Sequence, residues 1–191
     1  LDVRVDIPLY RVFSSTSQEE FIVDIRDIWR SDFYSFILGC SFTLDDILIE
    51  NVLPVRHVEA NTIVPMFTTN IDTVPFGPFS GPVVVTMRPM TETQAVKAAK
   101  ITENLHFAHG GPICIGDPIV LGITNLSNPD FGDPVEMRAG EIPVFWACGV
   151  TTQVALANSN IHPAISHAPG RMLITSVQTN QATKKLDPLK E

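Results

Sequence analysis

A cysteine beside a glycine, Cys148-Gly149, falls where the apolar run Ile142-Pro143-Val144-Phe145-Trp146-Ala147 gives way to a helix start at Thr151-Thr152-Gln153-Val154. The run reads as a buried strand, so the pair marks a strand-to-helix bend. Free N–H groups at a helix start carry partial positive charge, which favours an anion and lowers a nearby thiol pKa. The bend is therefore a candidate carboxylate or oxyanion cradle. Gly149 admits a ligand to the backbone, Val150 belongs to the same turn, and Thr151 adds a hydroxyl. Cys148 is a candidate for covalent attack, although a thiolate gains little by attacking an unactivated carboxylate. The plainer alternative is a buried cysteine packed beside Trp146.

Two histidines precede loops that Gly and Pro force off regular geometry: His109 in His109-Gly110-Gly111-Pro112 and His167 in His167-Ala168-Pro169-Gly170. A neutral imidazole takes a proton near neutral pH, so each is a candidate general base; each would equally serve to hold a backbone carbonyl. Asp117 and Asp133 both stand between Gly and Pro. A carboxyl with a raised pKa there would donate a proton, while the common use of such an aspartate is to bond its own turn. Arg88 closes the run Val83-Val84-Val85-Thr86-Met87 and is a candidate fork for a substrate carboxylate, or one half of a surface ion pair. Asn70 is a candidate polar contact.

No cofactor is required by these residues. The five histidines show no HxxxH or HExxH pattern, so a divalent metal is left open without a ligand set to support it. His106 and His109 would share a face only if a helix ran through both. There is no GxGxxG, Walker or Gly-x-Ser-x-Gly pattern, which removes local support for dinucleotide, nucleotide or serine-hydrolase chemistry.

The elements that hold these groups follow from the pattern of apolar residues. Pro8-Leu9-Tyr10-Arg11-Val12-Phe13 and Phe21-Ile22-Val23 read as a hairpin turning at Ser14-Ser15-Thr16-Ser17. Residues 29–38 place Phe33, Phe36 and Ile37 on one helical face that Gly39 would end. Thr43-Leu44-Asp45-Asp46 reads as the cap of the next helix, with Leu44, Ile47 and Leu48 inward and Pro54 at its exit. Strands are expected over 62–70 and 82–88, and their prolines argue for sheet edges. Thr91-Glu92-Thr93-Gln94 is a capping box opening a helix through Ala95, Ala98, Ala99 and Ile101. Residues 40–105 thus read as a self-contained helix–strands–helix unit, and Gly116-Asp117-Pro118 as the start of a helical turn.

With 191 residues, 45% hydrophobic and 18% charged, the chain is a packed globular protein. A net charge of −8 with scattered basic residues leaves no stripe for nucleic acid, and no apolar run nears the ~18 residues of a membrane span. Cys40, Cys114 and Cys148 are too few and too widely spaced for a disulfide framework, which favours a reducing compartment. The N-terminus has neither initiator Met nor apolar signal core and reads as a trimmed end, and 178–191 as a tail or linker.

Several strings together resemble the hydro-lyase family that includes D-glutamate cyclase. They are Asp6-Ile7-Pro8-Leu9-Tyr10-Arg11-Val12, Phe36-Ile37-Leu38-Gly39-Cys40-Ser41-Phe42, Ser80-Gly81-Pro82, Met87-Arg88-Pro89, Ile115-Gly116-Asp117-Pro118, Pro129-Asp130-Phe131-Gly132-Asp133, Pro143 through Thr151, and both histidine loops. The likeness runs from residue 6 to about 175. It implies an α/β (mixed α+β) protein of two interleaved lobes. A three-layer α/β/α-like lobe from 1–39 and 106–177 would hold the active site, and 40–105 would form a smaller two-layer α+β lobe.

The resemblance further implies loss of water from D-glutamate to give 5-oxo-D-proline, and a mitochondrial matrix setting in a eukaryote or cytoplasm in a bacterium. Where the family commonly has histidine, this chain has Cys114 and Arg171. Lactam closure needs a neutral amine, a protonated leaving oxygen and oxyanion donors. The expected assignment is His167 as base, Asp117 or Asp133 as acid, Gly149 to Thr151 as cradle and Arg88 as clamp. The expected partner is a small carboxylate, with homo-oligomer formation left open. The competing readings are a carboxylate-binding sensor or carrier without chemistry, and a hydro-lyase of another small hydroxy or amino acid.

Overall fold

Two antiparallel sheets and four α-helices form from residues 1–14 and 20–176, the part of the chain described by the structure, a computed structural model. The protein is thus a mixed α/β fold, as expected. Among the described residues no helix is long and apolar enough to cross a membrane. The expected tail over 178–191 lies outside the described residues, as does the hairpin turn after Ser14.

The smaller sheet sets β1 (Tyr10–Phe13) between β2 (Glu20–Ile22) and β7 (Ala164–His167), with Tyr10 opposite both Ile22 and His167. The hairpin is present. The larger sheet has the order β3 (Met66–Asp72), β4 (Pro82–Thr91), β6 (Glu141–Ala147), β5 (Cys114–Ile115). Strand β4 pairs with β6 from Val85↔Ala147 to Thr91↔Glu141. The 40–105 unit is therefore not closed on itself, because its longer strand shares a ladder with β6.

The prolines also behave differently from expectation: β3 is an edge strand, but β4 is interior. Met87 N–H donates to Pro65 O and Gly116 N–H to Pro143 O, so odd-numbered residues of β4 and β6 turn away from the β4–β6 ladder. Pro89 and Pro143 stand opposite each other in that register. Each turns its missing N–H outward, and the ladder between the strands stays whole.

Side chains alternate across this sheet, and the alternation fixes what lies where. On one face Val84, Thr86, Arg88, Met90, Val144 and Trp146 are fully buried. They meet three helices, α1 (Phe42–Glu50), α3 (Glu92–Thr102) and α4 (Val150–Asn158); the short α2 (Arg56–Glu59) follows α1. On the other face Phe67, Val85, Met87 and Phe145 pack against Leu121 and Ile123, in and just after the 3-10 turn Pro118–Leu121. The expected capping box forms in full, Thr91 and Gln94 bonding reciprocally at the start of α3.

Two helix expectations do not hold. Residues 29–38 form no helix, and Tyr34, Phe36, Ile37 and Leu38 are exposed. With no apolar surface to receive that face, ten residues of which four are aromatic lack what stabilises a short helix. Helix α1 starts at Phe42 after Ser41, with no side-chain cap, rather than at Thr43. Just before it Gly39 passes so close to Phe107 that a Cβ there would collide with the Phe107 carbonyl oxygen.

Thermal unfolding of two variants separates local from tertiary control. Thr91→Ala removes one helix cap and costs about 1 kcal/mol. Gly39→Ala lowers the melting temperature much further, since backbone must move to admit the methyl group.

Candidate active site

The bend at Cys148-Gly149 forms where the sequence predicts it, between the end of β6 and the start of α4. Its electrostatics run opposite to expectation. The thiol is buried with Sγ 3.7 Å from Met66 Sδ, and burial pushes its pKa up to about 11. The helix amides are consumed by the turn itself: Val150 N–H meets the Cys148 sulfur, Thr151 N–H donates to Cys148 O at 3.1 Å and Thr152 N–H to Gly149 O at 3.1 Å. Thr151 Oγ1 accepts from Val84 N at 2.9 Å, which ties α4 to β4. Cys148 and Val150 instead join Val64, Met66 and Val84 in an apolar cluster. Loss of water disfavours a thiolate more than this helix end favours it.

Arg88 is likewise turned inward. It is 0% exposed, with Nε donating to Asp45 Oδ1 at 2.7 Å, Nη1 to Thr86 Oγ1 at 3.0 Å and Nη2 to Ser41 O at 3.2 Å. Its guanidinium carbon lies 5.3 Å from the Trp146 ring centroid, within cation–π range. The other Asp45 oxygen takes His57 Nε2 at 2.9 Å. Burial alone would raise the Asp45 pKa, but the Arg88 charge and the His57 hydrogen bond outweigh it and hold the carboxyl below its ordinary value. Arg88 has no nitrogen left for a substrate. Its donors pin α1 to the sheet.

The two loop histidines both lie on the helix-bearing face but differ in availability. His109 ends the 3-10 turn His106–Ala108 with φ +74°, so no helix runs through His106 and His109. One ring nitrogen bonds the backbone of Gly39, and burial lowers the ring's pKa. Its Nε2 is buried without a partner. His167, at the end of β7, has Nδ1 2.8 Å from Ala168 O and Nε2 3.3 Å from Gln153 Nε2. Both of its nitrogens are engaged.

Segment 39–42 connects these groups. Gly39 O is the nearest atom to a Cβ built on Gly149, at 3.8 Å; Ser41 lies against the Cys148 thiol, and Phe42 packs on the Cys148 cluster. The acidic turns part company. Asp133 Oδ2 accepts from Ile63 N at 2.9 Å while its own N–H donates to Ile63 O at 3.0 Å. Ile63 also borders Gly170 of the His167 loop, 3.5 Å from a Cβ built there.

Asp117 instead caps the Pro118–Leu121 turn, accepting from Ile119 N at 2.9 Å, and is exposed beside Cys114. Cys114 pairs with Phe145 and so faces the other side of the sheet. Asn70 is exposed and lies against Gly122, after that same turn. The sheet therefore separates Asp117 and Asn70 from both histidines. Among the described residues no three His, Cys, Asp or Glu side chains gather as a metal site would need.

Sequence reasoning passed over Asp45, His57, Ser41 and Gln153. A signal existed for one of them: an arginine inside an apolar strand requires a buried acid, and Asp45 adjoins Leu44 near the core face of α1.

A model of the D-glutamate cyclase family matches residues 34–176. Proteins named "Putative hydro-lyase" from Bordetella pertussis and Thermoanaerobacter sp. are 49% and 50% identical over 177 residues, 93% of this chain. That stretch is 64% and 67% of their own lengths. One of the same name from Corynebacterium jeikeium is 49% identical over 180 residues, 94% of this chain and 66% of its own. The chain thus spans somewhat under two thirds of the Bordetella relative, 64% of its length.

Two measurements check the buried groups. Asp45→Asn leaves Arg88 unpaired and costs about 3–5 kcal/mol in urea unfolding. Because the folded Asp45 pKa is depressed, the stability it confers is complete above the unfolded value of about 3.9 and is lost as pH falls through the lower folded value. The variant's acid limb is accordingly flatter. Iodoacetamide at neutral pH, read by peptide mass spectrometry, modifies the partly exposed Cys40 and Cys114 before Cys148, which reacts only on unfolding.

Proposed function

The chain belongs to the D-glutamate cyclase family, and on that premise we propose that it closes D-glutamate to 5-oxo-D-proline with release of water. The observation that carries this reading is the buried, partnerless Nε2 of His109. Its other ring nitrogen is held by Gly39 and its pKa is lowered, so the ring is neutral near pH 7 and offers a lone pair.

In the proposed reaction His109 accepts a proton from the substrate ammonium. The amine nitrogen then bonds to the side-chain carboxyl carbon and sheds a second proton, the C–O bond breaks, and the oxygen leaves as water carrying two protons, one from an acid and one matching that shed by the nitrogen; the proton on His109 returns to the acid, so none is gained or lost overall. Asp133 is assigned as that acid, since its turn shares Ile63 with the His167 loop. Asp117 is not assigned, because it lies across the sheet and is committed to a cap. His167 passes from base to support, with both nitrogens occupied.

A second reading, binding of a small carboxylate without turnover, is favoured by one fact: the α4 amides are already used and supply no oxyanion donors. Three free cysteines support a reducing compartment for either reading. The relatives named above are bacterial, and none of them supports a mitochondrial setting.

Chiral chromatography after incubation with D-glutamate decides between the two readings: 5-oxo-D-proline accumulates under the first, and only bound D-glutamate is recovered under the second. His109→Asn tests the base, because asparagine tolerates the left-handed backbone at this position. Turnover falls by about 10²-fold or more with little change in melting temperature. In the wild type, the rate rises with pH as His109 loses its proton and levels off below the ordinary imidazole value of about 6.5.

A further inference from the structure

Gln153 is used by none of the steps above, yet it is the buried polar side chain whose chemistry is most constrained. It projects from the end of the first turn of α4 and is 5% exposed. Its Nε2 lies 3.3 Å from His167 Nε2, and its Oε1 is buried with no partner.

The orientation of this amide follows from the far side of the imidazole. Ala168 O is only an acceptor, so at 2.8 Å His167 Nδ1 must carry the hydrogen. With the hydrogen on Nδ1, Nε2 presents a lone pair, which the N–H end of an amide meets, as the 3.3 Å approach of Gln153 Nε2 has it. The carbonyl fixes the tautomer, the tautomer fixes the amide, and Oε1 is left as the end presented. A buried carbonyl oxygen without a donor is costly, which calls for a donor from outside the chain.

We propose that Gln153 Oε1 is a binding site for the ammonium group of an amino-acid ligand, and that His167 is the positioning residue that aims it. The inference rests on the reading of the protein as one that takes D-glutamate and deepens it: the site selects for an amino group. Arg88 and the α4 amides, being consumed, contribute nothing to that selection.

D-glutamate and glutarate share both carboxylates and differ in the amino group, so calorimetric titration of the full chain with each isolates this contact. Wild type binds D-glutamate about tenfold or more tightly than glutarate, the scale of a hydrogen bond to a charged group. Gln153→Leu removes that preference while leaving glutarate affinity in place. His167→Ala also lowers the preference. The ¹⁵N signals of His167 in the wild type show a protonated Nδ1 and an accepting Nε2, which a merely space-filling ring would not be held to. Equal affinity for the two probes in the wild type, or an unchanged ratio in Gln153→Leu, overturns the proposal, as does an Nε2–H tautomer. Discrimination without formation of 5-oxoproline overturns the cyclase reading and leaves the ammonium site standing. Failure of both probes to bind overturns both.

Discussion

The Arg88 guanidinium, taken wholly out of water, is the constraint around which the rest of the molecule is arranged. A charge in that position is tolerable only with a partner and with its hydrogens satisfied. Asp45 supplies the charge, Thr86 Oγ1 and Ser41 O each accept from one of the two Nη nitrogens, and Trp146 covers the plane. Those partners come from α1, from β4 itself, from the segment before α1 and from β6. One ion pair thereby joins the elements that meet on the helix-bearing face, and it sets where segment 39–42 runs.

That route has consequences for chemistry. Segment 39–42 passes between the His109 turn and the start of α4, so the Gly39 carbonyl holds the His109 ring while Phe42 closes over Cys148. The cysteine bend acts as a joint, its thiol buried and its pKa raised by burial. Free lone pairs remain elsewhere, on His109 Nε2 and Gln153 Oε1. Both are acceptors on neutral groups, an environment suited to a ligand that brings its own donors.

The parts legible in the sequence were those specified by neighbouring residues. The capping box, the β6 run, the bend after Ala147 and the Gly116-Asp117-Pro118 turn each depend on a few adjacent side chains, and each formed. The family was legible too, because its motifs are long and numerous. Failures arose where distant contacts decide. Residues 29–38 have helical spacing but no surface to pack on. Arg88 finds Asp45 43 positions away, and its role reverses from exposed clamp to buried brace. Which acidic turn adjoins the His167 loop depends on which side of the sheet it lies, and the identity of an unsatisfied atom depends on everything around it.

The opposed prolines of β4 and β6 bear on what the flanks of this sheet can pair with. Beyond the start of β3 and the end of β5, the two central strands continue as a ribbon whose outer flanks pair with no other described strand, the kind of edge that recruits foreign strands. Its outward amides are all accounted for: Pro89 and Pro143 have none, Thr91 N–H is held by Gln94 and Glu141 N–H by Arg138 O. A strand arriving from another molecule finds no donor along either flank. The two flanks thus lack the donors that intermolecular zippering needs, on a ladder whose Pro89, Met90 and Pro143 are themselves buried.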